Sequence, residues 1–273
     1  MILKEFYSCL IYLAQNSMTK LKYLITGGTG FLGHFLVKRL LKQENVSEVR
    51  IYSRDEFKQS EMALTITDKR VTYWLGDVRN LERLKEACEG MDIIVHAAAM
   101  KRMDSVSHNA YEVAGVNIDG TRNVTLAGKD CKRIILISTD KAFHPENVYG
   151  ASKFIAESIV LANKNGVVWR FGNFLCSRGS VWDIFTTQKN AGIPFTITDP
   201  NATRFIIDPY AVCDYVFSNA KPGLHYPEKL KSMTVKEIAD SISPTHPHVI
   251  IGLRPGEKAH ESFSEDYTSK KSI

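Results

Sequence analysis

The chain has 273 residues, 44% of them hydrophobic and 24% charged, enough to bury a large core as one α/β unit or as a large domain with a smaller lobe; disorder of the whole is excluded. Its net charge of +5 is spread along the sequence, which suits phosphorylated small molecules and not a nucleic-acid groove. The cysteines, Cys9, Cys88, Cys131, Cys176 and Cys213, are odd in number and far apart, so neither a disulfide framework nor a metal site is expected, and they read as buried thiols in a reducing cytoplasm.

Residues 1–19 read as an N-terminal extension. The apolar run from Phe6 to Ala14 is too short to span a bilayer and lacks a signal-peptide cleavage site. A dispensable extension or a mis-set start is favoured over a membrane-surface helix. Short Val/Ile/Leu-rich runs then alternate with helical periodicity. Lys22–Thr26, Val49–Ser53, Val71–Leu75, Asp92–Ala97, Arg133–Ser138 and Val167–Phe171 are predicted strands, and Phe31–Lys42, Leu81–Cys88, Ala110–Ala127 and Tyr149–Ala162 predicted helices. That alternation implies a Rossmann-like, doubly wound parallel sheet over residues 20–171. Prolines break the pattern after Gly172, so residues 172–273 read as a smaller substrate-binding lobe, partly interleaved with the first domain.

The first predicted strand runs into Gly27-Gly28-Thr29-Gly30-Phe31-Leu32-Gly33 and then a helix, the arrangement that lets a backbone approach a dinucleotide pyrophosphate. The second strand ends Ser53-Arg54, where a hydroxyl and a guanidinium favour the 2′-phosphate of NADP; a one-residue shift would instead bring Asp55 to an NAD ribose. Asp77, followed by Val78, is placed to reach the adenine, and Ala97 and Ala98 offer small side chains beside the cofactor.

Tyr149 and Lys153 are four positions apart and share a helix face. An ammonium there stabilises the phenolate, drawing its pKa toward neutrality so that Tyr149 can take a proton from an alcohol while hydride leaves for the nicotinamide. The preceding Ser138-Thr139-Asp140-Lys141 adds an acid and a second amine at the end of the fifth strand, where ligands of open α/β sheets bind.

The glycine motif, Tyr-x-x-x-Lys and strand order resemble the extended short-chain dehydrogenase/reductase superfamily. More closely, Gly76-Asp77-Val78-Arg79-Asn80, His96 to Lys101, Ser138 to Ala142, Asn173 with Ser177 to Ser180, Thr203-Arg204-Phe205 and Arg254 to Lys258 resemble the inverting UDP-N-acetylglucosamine 4,6-dehydratases, over roughly residues 20–262. The resemblance implies oxidation at C4 of a UDP-linked N-acetylhexosamine, loss of water across C5 and C6, and return of hydride to C6 of a 4-keto-6-deoxy sugar for glycan biosynthesis. It implies tightly held NADP, regenerated each turnover. Tyr149 becomes the base at the C4 hydroxyl, with Lys153 in support and Thr139 hydrogen-bonded to the same oxygen. Asp140 becomes the acid for the departing water and Lys141 the base at C5. Such a base must be uncharged, next to a carboxyl that keeps its proton.

For the substrate, the resemblance offers Asn173, three diphosphate-clamping arginines (Arg178, Arg204 and Arg254), Glu257 for ribose hydroxyls, and Lys101 at the sugar and cofactor pocket. It also implies a homo-oligomer built on the Ala110–Ala127 and Tyr149 helices. Phe171 and Ile206 stand where the family usually has Tyr and Trp. Two other readings use the same residues: a nucleotide-sugar 4-epimerase or reductase, indifferent to Lys141, and a non-catalytic NADP sensor, which would need none of Tyr149, Lys153, Asp140 and Lys141.

Overall fold

The computed structural model describes residues 20–101 and 108–270. The chain forms β1 (Leu21–Thr26), α1 (Phe31–Leu40), β2 (Val46–Ser53), α2 (Glu56–Thr65), β3 (Val71–Leu75), α3 (Leu81–Cys88) and β4 (Ile93–His96). It continues through α4 (Ala110–Ala114), a π-helical turn (Gly115–Asp119), α5 (Gly120–Ala127), β5 (Arg133–Thr139), a 3-10 turn (Asp140–Ala142), α6 (Val148–Leu161) and β6 (Gly166–Phe171). There follow β7 (Asn173–Phe174), α7 (Val181–Asn190), β8 (Phe195–Ile197), β9 (Thr203–Ile207), α8 (Pro209–Val216) and β10 (Gly223–His225). The last elements are β11 (Lys231–Thr234), α9 (Val235–Ile242), β12 (His248–Ile250), β13 (Ser262–Ser264) and β14 (Tyr267–Thr268). The expected N-terminal extension, residues 1–19, lies outside the described residues.

Seven strands make one parallel sheet in the order β10-β6-β5-β4-β1-β2-β3. Its central strands are fully buried, as expected of a parallel sheet covered on both faces. One core joins β1, β2 and α1 to Val212, Cys213 and Val216 of α8. Residues 208–225 therefore return to the large domain, capped at Asp208, whose carboxylate accepts from the Tyr210 amide at 2.7 Å. The smaller lobe has its own core of Phe185, Phe195, Ile197, Val235, Ile238 and Ala239.

The predicted helix Ala110–Ala127 is interrupted by the π-helical turn, which puts the buried Asn117 out of ordinary helical phase. Of the thiols expected to be buried, Cys176 is instead exposed, in a left-handed turn with φ of 58°.

Candidate active site

Thr26, Ser53, His96 and Thr139 end their strands on one edge of the sheet, and the functional groups gather there. Gly27 has φ of 68°, and a Cβ on it would stand 2.8 Å from the Ala98 Cα. A Cβ on Gly33 would lie 2.1 Å from the Gly28 carbonyl oxygen, so α1 packs against its own loop. Gly30 caps α1 without a side-chain acceptor, and no acidic residue lies in the first turn, so amides and helix dipole both face an incoming anion. The cradle fits a dinucleotide pyrophosphate.

At the end of β2 the Asp55 carboxylate is committed as the α2 N-cap, accepting from the Lys58 amide at 3.0 Å and pairing with its ammonium at 2.7 Å. Arg54 is exposed beside Asp77, at 3.4 Å, while Ser53 is buried against the Gln59 amide. Asp77 is held by Arg79 at 2.7 Å. The loop carrying Asp77 and the buried Val78 is shaped by Gly76, where a Cβ would collide with the Tyr52 ring.

His96 is buried between Thr26 Oγ1, 2.6 Å from Nδ1, and Thr121 Oγ1, 3.0 Å from Nε2. The Thr121 hydroxyl donates to the Asn117 carbonyl, so it can only accept from His96; Nε2 carries the proton and Nδ1 accepts from Thr26. Desolvation, and secondarily the Lys153 charge, push this imidazole down to about 3. Asn117 was missed in the sequence. Its amide bonds both backbone groups of Met100 and donates to the Ser152 hydroxyl at 2.9 Å, joining the loop after β4 to α6.

The residues expected to be catalytic meet because α6 approaches the 3-10 turn very closely. A Cβ on Gly150 would stand 2.3 Å from the Lys141 carbonyl oxygen. Asn147 caps α6 through the Gly150 amide at 2.8 Å, and its amide donates to Gly256 at 2.8 Å, fastening the Arg254–Lys258 segment to the helix start. Lys153 is buried and donates to the Ile137 carbonyl at 2.7 Å; desolvation outweighs the Glu157 charge and lowers its pKa to about 8. Glu157 is itself buried, bridged by Arg170 at 2.6 Å.

Lys141 Nζ lies 2.9 Å from Asp140 Oδ1, 3.2 Å from Asn173 Oδ1 and 3.4 Å from Glu261 Oε1, with only 19% of its side chain exposed. Burial alone would drive the proton off this amine, but Asp140 and Glu261 outweigh burial and the repulsion from Arg204, holding its pKa above the ordinary lysine value. The two carboxylates thus favour the charged form of Lys141, against the uncharged amine that elimination requires. Burial, with help from Glu261, raises the Asp140 pKa against the pull of Lys141 and Thr139. Tyr149 also departs from expectation: desolvation pushes its phenol up to about 12, against the Lys141 charge and a hydrogen bond with Thr139.

Of the expected substrate ligands, only Asn173 touches the catalytic cluster. Arg204 is buried and committed, to Glu257 at 2.9 Å and to the Thr203 and Ala259 carbonyls, so it does not join a three-arginine clamp. Glu257 is correspondingly shared between Arg204 and the Thr198 hydroxyl. Arg254 is exposed at the turn, and Arg178 lines a cavity of about 250 Å³ with Thr29, Phe31, His34 and Phe35, over the glycine loop. Lys101 is exposed beyond Met100, its pKa lowered by partial desolvation and by Lys141.

The family described as polysaccharide biosynthesis protein matches residues 23–273. Over 256 residues the chain is 39% identical to a UDP-N-acetylglucosamine 4,6-dehydratase (inverting) of Campylobacter jejuni subsp. jejuni serotype O:2, covering 89% of this chain and 77% of that one. It is 33% identical over 272 residues to a UDP-glucose 4-epimerase of Rickettsia canadensis, covering 92% and 80%. Among solved structures, Pen from Bacillus thuringiensis superposes with a TM-score of 0.84 at 29% identity, over 90% of this chain and 83% of that one.

Proposed function

The chain belongs to the polysaccharide biosynthesis protein family, a group that includes nucleotide-sugar dehydratases and epimerases, and from that premise we propose that it dehydrates UDP-N-acetylglucosamine to a 4-keto-6-deoxy sugar with inversion at C5, using NADP. The observation that carries this reading is the ion pair between buried Asp140 and partly exposed Lys141, set against Tyr149 on the ligand-binding edge of the sheet. A 4-epimerase has no use for a second acid and base there. The Campylobacter relative's name supports the inverting outcome. NADP is supported by Arg54 at the end of β2 and by the engagement of Asp55 as a helix cap.

When bound, the nicotinamide supplies a hydride acceptor for C4 and a hydride donor for C6. Tyr149 takes the C4 hydroxyl proton, with Thr139 hydrogen-bonded to the phenol and Lys153 fixed behind it on the Ile137 carbonyl. The ketone acidifies the C5 hydrogen. The resting ion pair becomes the working pair when one proton passes along the 2.9 Å hydrogen bond from Lys141 Nζ to Asp140 Oδ1. Neutral Lys141 then removes the C5 proton while Asp140 protonates the C6 oxygen as it leaves as water, which restores ammonium and carboxylate; with hydride returned to C6, a solvent-exchangeable proton reaches C5 from the face opposite Lys141, which inverts that centre. Asn173 orients Nζ throughout.

Arg178 and Arg254 are the arginines left to meet the substrate diphosphate, while Arg204 and Glu257 brace the turn that carries Arg254. The exposed Tyr111, Phe154 and Ile155 on α4 and α6 support a homodimer through these helices. No helix among the described residues is long and apolar enough to cross a membrane, and the reading places the enzyme in the cytoplasm.

The test is turnover of UDP-N-acetylglucosamine with catalytic NADP in deuterated water. A 4-keto-6-deoxy product carrying deuterium at C5 is expected, and Lys141→Ala should abolish it by about 10²-fold or more while NADP binding survives. Recovery of unchanged sugar, or of only its C4 epimer, refutes the reading.

A further inference from the structure

Glu261 belongs to none of the motifs read from the sequence. It lies after the Arg254–Lys258 turn, 120 positions beyond Lys141, and is only 3% exposed. Its backbone is locked by two bonds to Ser269, amide to hydroxyl at 2.9 Å and Ser269 amide to carbonyl at 2.7 Å. The side chain points at the catalytic turn, with Oε1 3.4 Å from Lys141 Nζ and Oε2 3.8 Å from Lys258 Nζ. Oε2 accepts no hydrogen bond, as is also true of Asp140 Oδ2. Burying a carboxylate so incompletely satisfied costs stability, since a glutamine or an apolar side chain would pack there without a charge.

We propose that Glu261 is a positioning residue that acts through Lys141, holding Nζ as a second carboxylate beside Asp140 and making it a stronger base toward the C5 hydrogen. The inference rests on the dehydratase reading and extends it. A C–H bond beside a ketone is a weak acid, so the rate of its cleavage rises with the proton affinity of the base. Asp140 raises that affinity but loses its charge when it takes up the proton it will give to C6. Glu261 has no part in that transfer, and its Oε1 stands 3.4 Å from Nζ as Lys141 receives the C5 proton. The other charged groups facing the cluster are Arg204, which is bound to Glu257 yet still opposes the Lys141 charge, His260, whose Nδ1 meets Thr203 Oγ1, Lys258, whose Nζ donates to the Phe143 carbonyl, and Lys101, which is near enough to feel the Lys141 charge.

The test uses the full chain, wild type and Glu261→Gln, with Glu261→Asp as the variant that keeps the charge. The reactivity of the Lys141 amine toward acetic anhydride, followed by mass spectrometry across pH, reads its proton affinity without any turnover. The midpoint should fall by about one unit in Glu261→Gln, making Lys141 roughly tenfold more reactive below it, and should stay near wild type in Glu261→Asp. In turnover, kcat should change roughly three- to tenfold together with the isotope effect from C5-deuterated sugar, because one proton affinity sets both the cost of freeing Nζ and the strength of the freed base. An unchanged midpoint in a folded Glu261→Gln protein overturns the proposal, as does a loss of kcat with an unchanged isotope effect. If wild type fails to dehydrate the sugar while the midpoint still moves, the reaction reading falls and the grip of Glu261 on Lys141 stands.

Discussion

Replacing Gly150 with alanine tests whether the catalytic geometry depends on the close approach of α6 to the 3-10 turn. The added methyl would stand 2.3 Å from the Lys141 carbonyl oxygen and 3.1 Å from the Pro145 Cβ. Ordinary contact requires the turn to retreat by about 1 Å. The obstacle is backbone, so no side-chain rotation relieves it. Overpacking of this kind costs roughly 1–3 kcal/mol. Alanine's better helix propensity offsets about 1 kcal/mol of that, leaving a loss of a few degrees in Tm. Displacing Lys141 from Tyr149 by the same distance should lower kcat by about 10²-fold. Thermal unfolding, NADP titration and turnover of UDP-N-acetylglucosamine, run side by side, separate the effects: a folded, NADP-binding protein with badly impaired turnover is expected. Turnover within a factor of two of wild type would refute the claim that this contact sets the site.

Arg54→Ala should weaken NADP roughly ten- to a hundredfold, the loss of a charge-assisted contact, and leave NAD nearly unaffected; equal effects on both cofactors in a fluorescence titration would contradict the assignment. His96 has its folded pKa depressed from 6.5 to about 3, so its contribution to stability is complete above pH 6.5 and is lost as pH falls toward 3. Between pH 7 and pH 5 this amounts to about 2 kcal/mol. Urea unfolding of wild type and His96→Asn at both pH values should show a smaller pH-dependent loss in the variant, and equal losses would argue against it.

The inner strands of the sheet were legible because they are buried and written in apolar runs, and the six predicted strands agree with the structure within a few residues; β3 is only half-buried, and β10, short and half-exposed, went unread. α2 went unread because it buries only Gln59 and Met62, too little for a periodic signal, although Asp55 before Glu56 is a good capping residue. In the smaller lobe the strands run from two to five residues, below what alternation can reveal. At the site, Tyr149, Lys153, Asp140 and Lys141 were legible because they are close in sequence. Asn117 was hidden by the π-helical turn, and Glu261 by sequence distance, since only the fold brings β13 against the turn after β5. The second carboxylate beside Lys141 was not foreseen, for the same reason. Arg204 and Glu257 were each expected at the substrate from the resemblance, and their pairing with one another was not legible in the sequence.

The polypeptide leaves the large domain after β6, comes back for α8 and β10, and departs again for β11. With that stitching, neither body is a contiguous stretch that a single proteolytic cut could release, and the outermost strand of the sheet comes from sequence lying between two segments of the smaller lobe. Any breathing of the cleft must therefore flex several parallel tethers in concert, which favours small, stiff adjustments around the sugar over a swing about one hinge.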